Sequence, residues 1–195
     1  MSAGEVIHTS TTGGQKAGNL ERYDLIPTFP LLELARLYNG PPQPPASIAG
    51  LNYELWNFWD GRDVDPFVDL HPLTFVAHEA IELIRLHVGD TWRPDPGATG
   101  FERIPPGPIR LLAEHFGRGA RKYADHNWRR GYPWGLSYAA LNRHLGAHRS
   151  GEFIDQETGS LHLVAVLWHA FTLLTFTQEH PELDDRWSTV SKKPT

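Results

Sequence analysis

Cysteine is absent from the 195 residues, which excludes a disulfide framework, an iron–sulfur cluster, a thiolate zinc site and a cysteine nucleophile together. Any metal has to rest on carboxylates, imidazoles or carbonyls. An excess of positive charge is also missing, since 18 Lys and Arg face 23 Asp and Glu for a net −5 and a pI near 6.1. No global basic surface of the kind that carries nucleic-acid binding is available. Long hydrophobic runs are lacking too: the longest apolar stretch, residues 161–176, is broken by His162, His169, Thr172 and Thr175 and falls short of a membrane span. The Ser-, Thr- and Gly-rich start carries no apolar segment of a signal peptide, so a cytoplasmic protein without a membrane partner is expected. Finally, the P-loop, dinucleotide, serine-hydrolase and H-E-x-x-H zinc motifs do not occur.

What remains is a chain with 40% hydrophobic and 11% aromatic residues, enough to bury the core of one globular domain. Its charge is segregated. Residues 107–150 hold eight Lys/Arg and two Asp/Glu, whereas residues 151–187 hold one Arg and seven Asp/Glu, and residues 40–106 hold four basic and ten acidic residues. A basic block followed by an acidic one, folded together, can surround an anionic, metal-bound ligand such as a nucleoside triphosphate; surface patchiness is the plainer alternative.

Punctuation divides the chain. Residues 1–24 read as a flexible arm and 188–195 as a tail, with a single all-α domain over 25–187. Pro27 and Pro30 open a helix from Phe29 to Tyr38, and Pro41, Pro42, Pro44 and Pro45 make a stiff connector. Trp56, Phe58, Trp59, Phe67 and Phe75 then demand burial. Apolar spacing gives helices over Leu73–His87, Pro108–Phe116, Ser137–His148 with Ser137 as its N-cap, and Leu161–His180. The last is apolar nearly all round and belongs at the centre of the core. Ile26-Pro27-x-x-Pro30 and Leu34-Ala35 recur 78 residues later as Ile104-Pro105-x-x-Pro108 and Leu112-Ala113, a duplicated helix start or two solutions to one capping problem.

Three groups of residues carry chemistry. The stretch 119–131 places Lys122, Tyr123, Asn127 and Trp128 between two helices, where cations suit phosphate oxygens and aromatics suit a base; the alternative is a loop anchored by its aromatics. Arg143 and His144 are followed by Glu152 and Asp155, hard ligands for Mg²⁺ or Mn²⁺ facing an arginine, or else a helix cap and an ion pair. His162 and His169 lie two turns apart on the apolar helix and read first as satisfied core histidines. Glu79 and Glu82 form a second acidic pair at helical spacing, an alternative metal site or an exposed face.

The ordered set Gly13-Gly14-x-Lys16, Arg22-Tyr23-Asp24-Leu25-Ile26-Pro27, Gly119-Ala-x-Lys122-Tyr123-x-x-x-Asn127-Trp128-Arg129-x-Gly131, Arg143-His144-Leu145 and Gly151-Glu152-x-x-Asp155-x-x-x-Gly159-x-x-His162-Leu163 resembles the phage dATP/dGTP diphosphohydrolase N-terminal family. That family is similar to the MazG-like all-α nucleoside triphosphate pyrophosphohydrolases. The resemblance implies a MazG-like helical bundle, with residues 40–103 as an inserted Trp-rich segment. It implies cleavage of a purine deoxynucleoside triphosphate to the monophosphate and pyrophosphate with Mg²⁺, in phage nucleotide metabolism and hence a host cytoplasm. Carried onto this chain, Glu152 and Asp155 become metal or water-activating carboxylates supported by His144 and His162. Lys16, Lys122 and Arg143 become phosphate contacts, and Tyr123, Asn127 and Trp128 shape the nucleotide pocket. A homo-oligomer is expected from the apolar final helix and the resemblance. The alternative is a nucleotide-binding or signal-sequestering phage protein that does not hydrolyse its ligand.

Overall fold

The computed structural model of the chain describes residues 6–9, 11–13, 15–64 and 69–187; Gly14, Phe67 and the 188–195 tail lie outside the described residues. The fold is all-α, and the described residues form six α-helices: α1 (Thr28–Asn39), α2 (Ile48–Trp59), α3 (Pro72–Val88), α4 (Pro106–Lys122), α5 (Trp134–Arg149) and α6 (His162–Glu179). Within the segment read as a flexible arm, a short antiparallel hairpin pairs β1 (Val6–Thr9) with β2 (Gln15–Gly18), Val6 opposite Gly18 and Thr9 opposite Gln15.

Helix α6 is the axis of the molecule. It is buried from His162 through Leu167 and again from Ala170 through Phe176, because α5 covers one side, α3 another, and α4 and α1 close the remainder. Its apolar perimeter is therefore accounted for within one chain. Complete burial of side chains such as Phe171, Phe176 and Leu173 contributes roughly 1.5–3 kcal/mol each.

The segment expected as an insert is part of this core. Helix α3 opens with Pro72 at its first turn, where His71 Nδ1 accepts the Leu73 amide at 3.1 Å, and it stops at Gly89 in the left-handed region, φ 68°. Its buried stripe, including Val76, Ala80, Ile81 and Ile84, lies along α6. Helix α2 was hidden behind the proline connector. Ser47 caps it by accepting the Gly50 amide at 3.0 Å, and Leu51, Leu55 and Phe58, spaced by four and three, are wholly buried against α3. Trp59 stacks on Tyr138 of α5 at 4.0 Å between ring centroids.

The duplicated Ile-Pro starts correspond to a reciprocal arrangement. A 3₁₀ turn, Tyr23–Leu25, precedes α1 but packs on α4, with the Arg22 amide donating to Ala113 O at 3.1 Å. A second 3₁₀ turn, Gly100–Arg103, precedes α4 but packs on α1, with the Gly100 amide donating to Asn39 Oδ1 at 2.9 Å. Each motif thus seats the other's helix.

Helix α4 runs six residues beyond its expected end at Phe116, and Gly117 explains why: a Cβ there would lie 1.9 Å from the Leu20 carbonyl oxygen. The glycine marks a close approach of the N-terminal segment rather than a break. Helix α5 begins three residues before Ser137, which is buried inside its first turn and bonded to Tyr132 Oη at 2.9 Å instead of capping. Behind the core, the buried Arg186 lies 4.7 Å from the Phe58 ring and 5.1 Å from the Trp134 ring, paired with Asp184 and Asp63 and donating to Phe58 O at 2.7 Å. That arginine ties the end of the described chain to α2 and α5. Among the described residues no helix is long and apolar enough to cross a membrane.

Candidate functional site

The second half of α4, the 123–131 loop, the 151–160 loop and the middle of α6 enclose a cavity of about 620 Å³, within the range of small-molecule sites. Helix α4 supplies His115, Arg118, Gly119, Arg121 and Lys122; the loop adds Tyr123, Asn127 and Trp128; Glu157 and Thr158 close the rim; Trp168 and His169 form the floor. Four of the expected substrate contacts, Lys122, Tyr123, Asn127 and Trp128, are thereby brought to one cavity. Basic residues in the last turn of α4 are favourable in their own right, since they face the negative end of the helix dipole.

The 123–131 loop is held from three sides. Arg22 donates to both Asp24 and Asp125, at 2.7 Å for each closest contact, and these carboxylates hold the guanidinium above its ordinary pKa. Arg129 pairs with Glu179 of α6, and the Arg129 carbonyl lies 2.8 Å from His180 Nε2. Gly131 adopts φ +79°, and a Cβ there would come within 2.6 Å of Leu183 and 2.9 Å of the His180 ring. Inside this frame Ala124 (φ 148°) and His126 (φ 55°) occupy conformations that non-glycine residues rarely adopt, a strain of about 1–3 kcal/mol each that the surrounding ties sustain. Trp128 is half-buried between Phe116, Trp168 and Phe176, with centroid distances of 5.9, 6.3 and 6.2 Å, and its buried Nε1 has no hydrogen-bond partner among the described residues. Tyr123 and Asn127 are exposed at the mouth.

The 151–160 loop is a self-bonded turn. Asp155 receives the Thr158 hydroxyl at 2.6 Å and the Glu157 amide at 3.2 Å, its own amide donates to Ser160 O at 2.8 Å, and Ile154 bridges Leu161. Partial burial pushes the Asp155 carboxyl upward, but the Thr158 and Glu157 donors with His144 and His162 nearby outweigh it and hold the pKa below the ordinary aspartate value. Lys122 reaches from α4 to pair with Glu157, which raises the ammonium to about 12 and latches the loop to the helix across the rim.

Behind this loop the imidazoles form a cluster. His144 Nδ1 and His162 Nδ1 lie 2.8 Å apart, so one ring must donate and the other accept. His162 Nε2 is 3.7 Å from Glu152 and has no hydrogen-bond partner among the described residues. His144 stacks near His169 at 5.9 Å, and His169 Nδ1 lies 3.1 Å from the buried Ser137 Oγ. Burial first, then the neighbouring imidazole of His162, lowers the His144 pKa; burial lowers His169 well below the ordinary histidine value. Both are neutral near pH 7.

Of the other expected residues, Glu152, Asp155, His144 and His162 are not among those lining the cavity, nor are Arg143, Glu79 and Glu82. Arg143 is exposed on α5 and forms no pair with Glu152. Lys16 belongs to β2, and its side chain is outside what is described. Glu79 accepts the Ser47 amide at 2.6 Å, and Glu82 accepts Tyr38 Oη at 2.9 Å and pairs with Arg85 at 2.8 Å, so both carboxylates of that pair are engaged in holding helices together. Among the described residues no group of three or more His, Asp or Glu side chains is placed to hold a metal ion. Sequence reasoning passed over His115, Arg118, Ser160 and Trp168. Only the four- and seven-residue spacing of His115, Gly119 and Lys122 along one face would have pointed to the first.

Residues 89–186 match the family model described as dATP/dGTP diphosphohydrolase, N-terminal, a span that contains every cavity-lining residue except Leu25. No curated protein and no solved structure is significantly similar to the chain. With half of its length and nearly the whole cavity inside the match, the chain belongs to the dATP/dGTP diphosphohydrolase N-terminal family, whose name denotes hydrolases of nucleoside triphosphates.

Proposed function

We propose that this chain hydrolyses purine deoxynucleoside triphosphates between the α- and β-phosphates, releasing the monophosphate and pyrophosphate, in a Mg²⁺-dependent reaction on the nucleotide pool of a phage-infected cell. The observation that carries the reading is the convergence of Lys122, Tyr123, Asn127 and Trp128 with Arg118 and Arg121 on one cavity whose rim is closed by Glu157 and Thr158 of the 151–160 loop. Cations on one wall suit the triphosphate, and the half-buried Trp128 with the exposed Tyr123 suits a planar base.

The donor set fits an ion that brings most of its coordination shell with it. Mg²⁺ commonly binds through one or two carboxylates plus water and substrate phosphates. Asp155 and Glu152 are the carboxylates that would hold it, and when bound the ion supplies polarisation of the phosphates and a lower pKa for water. The chain's own residues do the rest. Lys122 and Arg121 neutralise the charge that grows on the leaving pyrophosphate. Asp155, kept ionised, and neutral His144 are the acceptors for the proton that the attacking water loses as its oxygen bonds to phosphorus. Glu152 beside His162, and His162 against His144, keep that pair of rings oriented.

The test is product analysis: purified protein, Mg²⁺ and each deoxy- and ribonucleoside triphosphate, resolving monophosphate from diphosphate and pyrophosphate from phosphate. Monophosphate plus pyrophosphate from dATP or dGTP supports the reading. One second reading, a nucleotide-binding protein without turnover, is favoured by the position of Glu152 and Asp155 outside the lining of the cavity. Intact nucleotide recovered from the protein after denaturation is the result that reading requires.

A further inference from the structure

His115 borders the cavity from the middle of α4, and its polar contacts fix its chemistry. Its Nδ1 lies 2.9 Å from Ser160 Oγ, and the same oxygen accepts a hydrogen bond from Arg118 Nη1 at 2.8 Å. A guanidinium can only donate, so Arg118 occupies one lone pair of that hydroxyl. Two arrangements remain. Either Ser160 gives its own proton to Nδ1, or Nδ1–H gives a proton to the second lone pair and the serine proton is left with nothing to bond. Ser160 is 4% exposed, and a buried hydroxyl proton without a partner is unfavourable. The first arrangement satisfies every group, and it puts the ring proton on Nε2.

The surroundings keep the ring uncharged. Facing His115 are Arg118 on its own helix, His144 from α5, His169 and Trp168 from α6, and Asp155 from the loop. Burial first, then Arg118 and His144, lowers its pKa to about 4, with Asp155 opposing weakly. A second cation on the oxygen that already serves Arg118 would also be repelled.

We propose that Ser160 and Arg118 hold His115 as the neutral Nε2–H tautomer, so that it offers the phosphate end of the bound nucleotide a fixed hydrogen-bond donor on the wall shared with Gly119 and Lys122. Ser160 is the positioning residue and His115 the group that touches the ligand. The inference rests on the cavity being the nucleotide site. A neutral imidazole donor differs from the lysine and arginines beside it: it adds direction without adding charge, and it cannot exchange its proton with the ligand near neutral pH. Gly119 leaves the helix surface between His115 and Lys122 bare, with no atom beyond its chain neighbours and the helix's own backbone within 4 Å of where its Cβ would stand, so a phosphate can approach both.

The experiment is ¹⁵N NMR of the full-length protein with labelled histidine at pH 7, first alone and then with inorganic pyrophosphate or dGMP as probes. The expected result is a neutral Nε2–H signature for His115, an Nε2 shift with pyrophosphate and a smaller one with dGMP. An Nδ1–H or imidazolium signature, or an Nε2 resonance that neither probe moves, overturns the proposal. Ser160→Ala is expected to give a mixture of tautomers and to raise KM for dGTP about tenfold with kcat little changed, the equivalent of one hydrogen bond, and Ser160→Thr restores both. Should Ser160→Ala not fold, Ser160→Gly provides the same reading, because it too removes the hydroxyl that gives its proton to Nδ1; an unchanged tautomer in a folded variant of either kind overturns the proposal. The NMR signature and the pyrophosphate shift require no turnover. A protein that hydrolyses nothing but shows both sinks the hydrolase reading alone, and one that hydrolyses dGTP with His115 unmoved sinks this inference alone.

Discussion

Glu79 and Glu82 on α3 and Glu152 and Asp155 in the 151–160 loop share one spacing, three residues apart, and differ in everything that surrounds them. Glu82 is neutralised by Arg85, receives the Tyr38 hydroxyl, and belongs to a network in which Arg85 also donates to Trp92 O at 2.6 Å. Glu79 is half-buried, takes up the Ser47 amide, and is pushed toward its protonated form by burial. Asp155 pairs with no arginine or lysine among the described residues; hydroxyl and amide donors, with imidazoles behind them, hold it ionised. A carboxylate tied to a guanidinium is a structural element, whereas one stabilised by neutral donors keeps its charge available to a cation. Spacing alone is blind to that difference, because it is set by residues from other helices.

The sharpest way to break the comparison is to neutralise one member of each pair. Asp155→Asn is expected to lower dGTP turnover by at least about 100-fold with the thermal midpoint nearly unchanged, the scale of losing an activating carboxylate. Glu82→Gln is expected to leave turnover within about twofold in the folded protein. Reversal of the two results, read by pyrophosphate release, would place the chemistry at α3. Glu82→Gln instead costs stability, about 1–3 kcal/mol in urea denaturation, because Arg85 keeps its charge in a half-buried setting and loses its partner.

The same contrast between local pattern and assembled environment separates what was legible in the sequence from what was not. Helices α1, α3, α5 and α6 could be read because their apolar spacing and their Pro and Gly boundaries are local. Helix α2 was missed although Leu51, Leu55 and Phe58 have helical spacing, since four prolines just ahead of Ser47 drew the reading to a connector. Helix α4 was cut short at Gly117, whose purpose depends on Leu20, nearly a hundred residues away. Ser137 looked like a cap because Ser is a good one; what it does is bond Tyr132 and lie beside His169 inside the first turn of α5. At the cavity, Lys122, Tyr123, Asn127 and Trp128 were found together because they are near neighbours in sequence. Arg118 and Ser160 meet only through the packing of α4 on the loop, and no spacing announces that meeting.

Acid titration sharpens the comparison on the stability side, since each region holds a histidine whose pKa burial lowers to about 4. His71 beside the start of α3 and His115 at the cavity both sit at about 4, lowered chiefly by burial. Between about 4 and the ordinary 6.5 the unfolded chain binds protons that the folded chain refuses, so stability falls as pH drops through that window and is flat above it. His71→Asn, which keeps an acceptor for the Leu73 amide, and His115→Gln are each expected to reduce the slope of unfolding free energy against pH by up to about one proton, and the double variant by up to two. A slope unchanged in both variants would mean that neither ring is held neutral in the folded protein.

The smallest expected effect concerns Glu157, a carboxylate in the 151–160 loop that behaves, like Glu82, as a cation's partner. Its pair with Lys122 differs from the Glu82–Arg85 pair in one respect: both side chains are more than half exposed, at 70% and 55%, against 24% and 13%. Water and salt screen such a pair, so Glu157→Gln is expected to change stability by less than about 1 kcal/mol. Its effect belongs to the ligand. With Glu157 neutral, the Lys122 ammonium no longer has to exchange a carboxylate for a phosphate, and KM for dGTP falls, by roughly two- to fivefold at low ionic strength and less at high salt. A KM that rises in this variant would move Glu157 from Glu82's class to Asp155's, as a carboxylate the bound nucleotide uses.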